Sequence, residues 1–199
     1  MKKVISCIGD SLTEGDYGIF GKSGIANVQK EGYPYFLEKL SGCEVRNFGH
    51  SGFRSVDILS TFDSGETDVA NSDVIVIILG TNGGQTAEGN SDNDKAYNEI
   101  IDRCQKAAPL AKIFLATPPH CTTNPKWSNC GYINNVISAA SFVRKTIKER
   151  NLQLIDLLAN NTFNENNEEI MQPNDGLHFG KVGYECLANI IYDAIKESL

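Results

Sequence analysis

A serine near one end of the chain and a histidine near the other are the side chains best suited to do chemistry together. Ser11 sits in Gly9-Asp10-Ser11-Leu12-Thr13-Glu14-Gly15, just after an apolar run, and His178 closes the segment Asp175-Gly176-Leu177-His178. A serine hydroxyl is a weak nucleophile until a base stands within hydrogen-bond reach. Imidazole, with a pKa near neutrality, is the usual base. A carboxylate three residues before it can fix its tautomer and stabilise the imidazolium that forms. Each segment also has a plainer reading. Ser11-x-x-Glu14 matches a capping box, in which Ser11 would only cap a helix. Asp175 could likewise cap the last helix and leave His178 on the surface.

Two further loops carry groups able to donate to a developing oxyanion. Asn47-Phe48-Gly49-His50-Ser51-Gly52 contains glycines that let a backbone N–H approach a substrate closely. Gly80-Thr81-Asn82-Gly83 offers a side-chain amide that can donate to a tetrahedral intermediate. Turn chemistry alone also accounts for such residues. Asp10, His50 and His120 are candidates to line a substrate pocket, although an aspartate such as Asp10 tends to bond its own loop. Trp127 offers a ring for a sugar or acyl group to stack on, or an anchor for its own loop. A metal site on His120, Cys121 and Cys130 lacks a further ligand, and no Cys-x-x-Cys pair occurs. Neither metal nor cofactor is expected.

These loops need a scaffold that brings distant segments together. Val4–Ile8, Cys43–Phe48, Val74–Leu79, Lys112–Ala116 and Leu152–Leu157 read as strands. The run Val-Ile-Val-Ile-Ile-Leu at 74–79 predicts burial on both faces, as in a parallel sheet. Helical spacing covers Tyr33–Leu40, Ser55–Phe62, Asp94–Ala107, Tyr132–Arg150 and Val182–Glu197. The alternation predicts a single three-layer α/β/α domain over residues 1–199, with a parallel five-stranded sheet and right-handed crossovers. Ligands of such sheets bind at the carboxyl ends of the strands. The loops that begin at residues 9, 49, 80, 117 and 157 hold most of the candidates named above.

In that order, the four motif segments resemble the GDSL/SGNH hydrolases. Gly9-Asp10-Ser11-Leu12 reproduces the motif that names the family. Asn47-x-Gly49-x-x-Gly52 is similar to its glycine block, Gly80-Thr81-Asn82 to its asparagine block, and Asp175-x-x-His178 to its last. The matches span almost the whole chain. The resemblance implies a flavodoxin-like sheet with the nucleophile after the first strand. It implies Ser11 as nucleophile, His178 as base and Asp175 as its partner. The implied oxyanion hole is the N–H of Ser11, the N–H of Gly52 and the side chain of Asn82. The implied reaction is hydrolysis of a small carboxylic ester through an acyl-enzyme. Many compact relatives deacetylate carbohydrates, which favours short acyl groups, with an acetyl on a sugar among them. Thioesters and lysophospholipids would suit the same triad. One departure stands out: the family usually has Asp after the asparagine of the third block, whereas this chain has Gly83 and Gly84. That bears on how rigidly the loop holds Asn82.

Composition narrows the partners. The 199 residues carry a formal net charge of −7, which argues against an electrostatic grip on nucleic acid or an anionic membrane. A small-molecule ester is the expected partner. The first apolar run stops at Gly9-Asp10, too soon for a signal peptide, and no stretch reaches the roughly 18–20 apolar residues that span a bilayer. The expected location is the cytoplasm. Cys121 and Cys130 bracket one polar loop and could pair, but a reducing compartment argues for thiols. A Gly-x-Ser-x-Gly elbow and a P-loop are both absent, which excludes an ordinary α/β-hydrolase and a P-loop nucleotide site. The rivals that remain are a non-catalytic binding domain on the same scaffold and a flavodoxin-like nucleotide or signalling protein. The latter would not need His178 beside Asp175.

Overall fold

The chain runs β1 (Val4–Gly9), α1 (Ser11–Glu14), β2 (Asp16–Phe20), β3 (Ala26–Val28), α2 (Tyr33–Ser41), β4 (Glu44–Gly49), α3 (Ser55–Asp63) and β5 (Val74–Ile78). It continues through α4 (Asp92–Ala107), β6 (Lys112–Ala116), α5 (Tyr132–Arg150), β7 (Gln153–Ile155), α6 (Glu168–Met171) and α7 (Lys181–Ile195). These elements come from a computed structural model that describes residues 2–20, 26–28 and 31–199.

The apolar strands stack into one sheet because both of their faces need cover. All five residues of β5 are buried. Side chains alternate along each strand, so successive residues enter opposite layers. Ile75, Ile77, Ile113 and Leu115 pack with Ile58 of α3, Tyr97, Ile100 and Ile101 of α4, and Phe142 and Val143 of α5. Val74, Val76, Ile78 and Phe114 pack with Phe36 and Leu37 of α2 and with Tyr184, Leu187 and Ile191 of α7. Each helix turns one apolar stripe to the sheet. The result is the three-layer α/β/α fold that the alternation predicts.

The sheet order is β4-β1-β5-β6-β7, with every pair parallel. The chain moves outward from β1 to β4, then crosses to β5 on the other side of β1. This reversal opens a crevice at the carboxyl ends of β1 and β5, where doubly wound sheets hold ligands.

Several boundaries differ from expectation for local reasons. β7 covers only part of Leu152–Leu157. It pairs with β6 alone, and the Leu157 N–H turns back to the Ile155 carbonyl at 3.0 Å. α4 starts two residues early because Ser91 caps it: the Ser91 hydroxyl accepts the Asp94 N–H, and the Asp94 carboxylate accepts the Ser91 N–H. The antiparallel hairpin β2–β3 and the one-turn α6 have no counterpart in the sequence pattern. No helix among the described residues is long and apolar enough to cross a membrane.

Candidate active site

β1 ends at Gly9, where a Cβ would stand 2.0 Å from Thr13 Oγ1, so the turn into α1 can be this tight only with glycine. Asp10 then caps α1, its carboxylate accepting the Leu12 N–H at 3.1 Å. The capping-box reading of Ser11 is therefore corrected. Ser11 is the first residue of the helix and not its cap. Glu14 reaches instead to the next loop, where it accepts the Ser51 N–H at 2.6 Å. The Ser11 hydroxyl is left to a different partner, and its Oγ lies 2.9 Å from His178 Nε2.

The reading of Asp175 as the cap of the last helix is corrected as well. α7 begins at Lys181, after Gly180. Asp175 Oδ1 accepts the N–H groups of Leu177 and His178 at 2.9 and 2.8 Å, closing a turn on itself. Its Oδ2 lies 2.7 Å from His178 Nδ1. The three-residue spacing works because one oxygen folds the turn while the other holds the ring. With Nδ1–H directed at Asp175, Nε2 accepts the serine hydroxyl. Gly176 adopts φ +73° in this turn, and a Cβ there would meet Thr122 Cγ2 at 2.5 Å.

Burial opposes both charges of the His178–Asp175 pair, and their contact outweighs it. Burial pulls the imidazole down, but the bond and charge of Asp175, followed by the charges of Asp16 and Asp10, leave it above the ordinary histidine value. Burial pushes Asp175 up, but the His178 bond and charge and the two backbone N–H groups hold it below the ordinary carboxylate value. Asp10 behaves otherwise. Its burial pushes the carboxyl up to about 6, against the pull of the Leu12 N–H, Thr81 and the His178 charge.

The oxyanion candidates come from two loops that touch. Gly52 has φ +80° in the turn after β4. The His50 N–H donates to the Gly9 carbonyl at 3.1 Å, tying that turn to the end of β1. Asn82 Nδ2 donates to the carbonyl of Phe53, next to Gly52, at 2.9 Å. Where the family pattern has Asp, Gly83 and Gly84 make room for side chains from two helices. A Cβ on Gly83 would lie 2.9 Å from Asn135 of α5, and one on Gly84 would lie 2.3 Å from Asn93 of α4. Asn135 Nδ2 also donates to the Thr81 carbonyl at 3.4 Å, and Gln85 Nε2 donates to Ser55 Oγ at 2.7 Å. Neighbouring helices thus hold the loop in place of its own aspartate.

The remaining candidates are placed less closely. Asp10 is fully enclosed, and its carboxylate is turned to the Leu12 N–H of its own loop. The ring of His50 stacks on Phe53, and its Nε2 lies 3.9 Å from Glu66. The carbonyl of His120 accepts from Gln172 Nε2 at 2.8 Å, and burial lowers the pKa of its ring against the nearby Glu165 and Glu168. Trp127 is half-buried over Gly176, one residue from Asp175. Cys121 and Cys130 are free thiols. Among the described residues, no group of three or more His, Cys, Asp or Glu side chains is placed to hold a metal ion.

Asp16 is the residue that sequence reasoning missed. It is almost fully buried at the start of β2, and its Oδ2 lies 3.9 Å from His178 Nε2. The one local signal is Asp16-Tyr17-Gly18, in which Asp16 Oδ1 accepts the Gly18 N–H at 2.8 Å to form a side-chain turn. That signal reports a turn and says nothing of the histidine beyond it.

The class of the protein, an ester-bond hydrolase, follows from its family. The chain belongs to the GDSL-like lipase/acylhydrolase family, whose model matches residues 7–186. Its fold is shared with the aryl esterase of M. smegmatis (17% identity, TM-score 0.75, covering 99% of this chain and 100% of that one). It is shared also with a carbohydrate acetylesterase from Sinorhizobium meliloti (15% identity, TM-score 0.74, covering 100% of both chains). A lipase/acylhydrolase from Enterococcus faecalis is similar in turn (22% identity, TM-score 0.72, covering 98% of this chain and 96% of that one). Among curated proteins, the N-acylneuraminate cytidylyltransferase of Escherichia coli is 24% identical over 162 residues. The match takes in 80% of this chain and spans 37% of that protein's length.

Proposed function

We propose that this protein hydrolyses short acyl esters, acetyl groups on carbohydrate foremost, through a Ser11–His178–Asp175 triad on one domain spanning residues 1–199. The observation that carries this reading is the continuous chain of contacts from Ser11 Oγ through both imidazole nitrogens to Asp175, at 2.9 and 2.7 Å.

In the first step Ser11 Oγ bonds to the carbonyl carbon while its proton passes to His178 Nε2. The tetrahedral oxyanion rests on the N–H groups of Ser11 and Gly52 and on Asn82 Nδ2. As the carbon–oxygen bond to the alcohol breaks, Nε2 returns that proton to the leaving oxygen. Water then attacks the acyl-enzyme, giving its proton to Nε2, and the second collapse releases the acid and restores the serine hydroxyl. Asp175 keeps its negative charge throughout and stabilises the imidazolium of each half-reaction. For Asn82 to serve, its amide must turn from the Phe53 carbonyl to the oxyanion, or donate its second N–H to it.

The substrate class draws support from three directions. One fold neighbour is a carbohydrate acetylesterase, the curated relative is named for an N-acylneuraminate, and the half-buried ring of Trp127 beside Gly176 is suited to stacking on a sugar. The test is hydrolysis of p-nitrophenyl acetate by the purified protein and by Ser11→Ala, followed by acetylated sugars and p-nitrophenyl esters of graded chain length. Turnover that needs Ser11 and favours acetyl groups on sugars supports the reading. Turnover that survives in Ser11→Ala removes the triad. A preference for long acyl chains removes the substrate class.

A further inference from the structure

Resting on the triad reading above, we propose that Asp16 is a second carboxylate partner of His178, placed to stabilise the imidazolium formed when Ser11 gives up its proton. Asp175 serves the Nδ1 side of the ring. Asp16 serves the other side, its Oδ2 3.9 Å from Nε2. That distance is too long for a hydrogen bond and short enough for strong attraction between charges within a buried site. Asp16 therefore supplies field without competing with Ser11 for the proton. It acts through the imidazole and is a positioning residue.

The surroundings hold Asp16 in this role. Its Oδ1 accepts the Gly18 N–H at 2.8 Å and its Oδ2 accepts the Ser51 hydroxyl at 3.3 Å. Its carbonyl accepts the hydroxyl of Tyr184, from the helix that follows His178. The same turn brings Gly18 against the other partner: a Cβ on Gly18 would stand 2.5 Å from Asp175 Oδ2. One short segment, 16–18, thus carries one carboxylate and leaves room for the other. Asp16 also touches the oxyanion loop through Ser51, whose N–H is held by Glu14 at 2.6 Å. The charged groups that bear on His178 are Asp175 from its own loop, Asp16 from β2 and Asp10 from the end of β1. Tyr184 of α7 is the further titratable side chain that feels all three.

A second carboxylate has a consequence that packing alone does not. It favours the protonated imidazole, so removing its charge while keeping its shape must make His178 easier to deprotonate. The experiment is a proton-NMR titration of the histidine ring signals in the wild type, Asp16→Asn and Ser51→Ala. The chain has three histidines, and the His178 signal is the one lost in His178→Gln. Asp16→Asn should lower the His178 midpoint by about one pH unit, as expected for loss of an opposite charge within roughly 4–6 Å. The acid limb of kcat/KM for p-nitrophenyl acetate should move down by the same amount. Ser51→Ala removes the tether and keeps the charge, so its midpoint should not fall.

An unchanged midpoint in folded Asp16→Asn would overturn the proposal, and so would an equal fall in Ser51→Ala, which would make the effect one of tethering. A midpoint that falls while the acid limb stays in place overturns the role in the reaction. Should Asp16→Asn fail to fold, Asp16→Ser is titrated in its place: a fallen midpoint supports the proposal and an unchanged one sinks it. The titration needs no substrate, so a wild-type protein that turns over no ester would sink the esterase reading and leave the pairing to be judged by NMR.

Discussion

His178 Nε2 lies 2.9 Å from Ser11 Oγ although 167 positions of chain separate the two residues. The fold closes that gap by carrying both at the carboxyl edge of one sheet. Ser11 follows the inner strand β1, and His178 precedes α7, which packs on the layer that β1 helps to cover. The contact therefore depends on the whole domain and on no local spacing.

Removal of either residue should abolish most activity without unfolding the protein. Ser11→Ala and His178→Ala should each lower kcat/KM by at least about 10³-fold. Ser11 is a first-turn helical residue, so Ser11→Ala should melt close to the wild type. Steady-state kinetics and thermal melts on the same preparations check both halves of this expectation.

The rate should rise with pH through a midpoint above the ordinary histidine value of about 6.5, because only neutral imidazole can take the serine proton. Asp175→Asn should move that midpoint down as well as lower kcat. The effect on stability runs the other way. A raised folded pKa makes the His178–Asp175 contact fully stabilising below about 6.5, with the contribution lost as pH rises through the folded value. The profile of kcat/KM against pH, set beside melts at the same pH values, tests both signs.

Asp10 should be a stability liability at neutral pH. Its folded pKa of about 6 exceeds the model-peptide value of 3.8, so the folded state binds a proton that the unfolded state has released. Stability is then lost as pH rises from about 4 to about 6, to an extent on the order of 3 kcal/mol at most. Asp10→Asn keeps an oxygen for the Leu12 N–H and removes the buried charge. It should raise the melting temperature at pH 7.5 more than at pH 4.5. Equal shifts at both pH values would show that the charge is not the cause.

Restoring the family's usual aspartate should harm this protein. Gly83→Asp puts a side chain where φ is +81° and where a Cβ would meet Asn135 at 2.9 Å. The backbone strain alone is expected to cost about 1–3 kcal/mol. Displacement of Asn82 should lower kcat by about 10²-fold or more. Adding Asn135→Ala should recover the part due to the clash and leave the part due to the backbone. A double-mutant cycle read in both kcat and melting temperature separates the two.

The strong elements were legible because their physics is local. Val74–Ile78 announces itself by β-branching, and Tyr132–Arg150 by its apolar spacing. Both appear at or within a residue of the expected bounds. Ser11, Asp175 and His178 could be named because each sits in a short motif just after or between such elements. What was missed depends on tertiary contact. β2 spans five residues and β3 three, outside the main sheet, and neither builds a period long enough to read. Asp16 gains its meaning only when that hairpin meets the final loop. The substitute for the absent aspartate is equally distant, since Asn93 and Asn135 arrive from α4 and α5. The cap readings of Ser11 and Asp175 failed for the opposite reason. A capping motif is a local pattern, and Glu14 and Asp175 each found better partners than a helix end.

The central claim is that Ser11 is the nucleophile and His178 activates it. The most direct measurement is the mass of the intact protein after reaction with a serine-reactive organophosphonate, with the adduct located by peptide mapping. The account predicts a single adduct on Ser11, none in Ser11→Ala, and slow labelling in His178→Ala. An adduct on another residue, or none at all in a preparation that still hydrolyses p-nitrophenyl acetate, would contradict it.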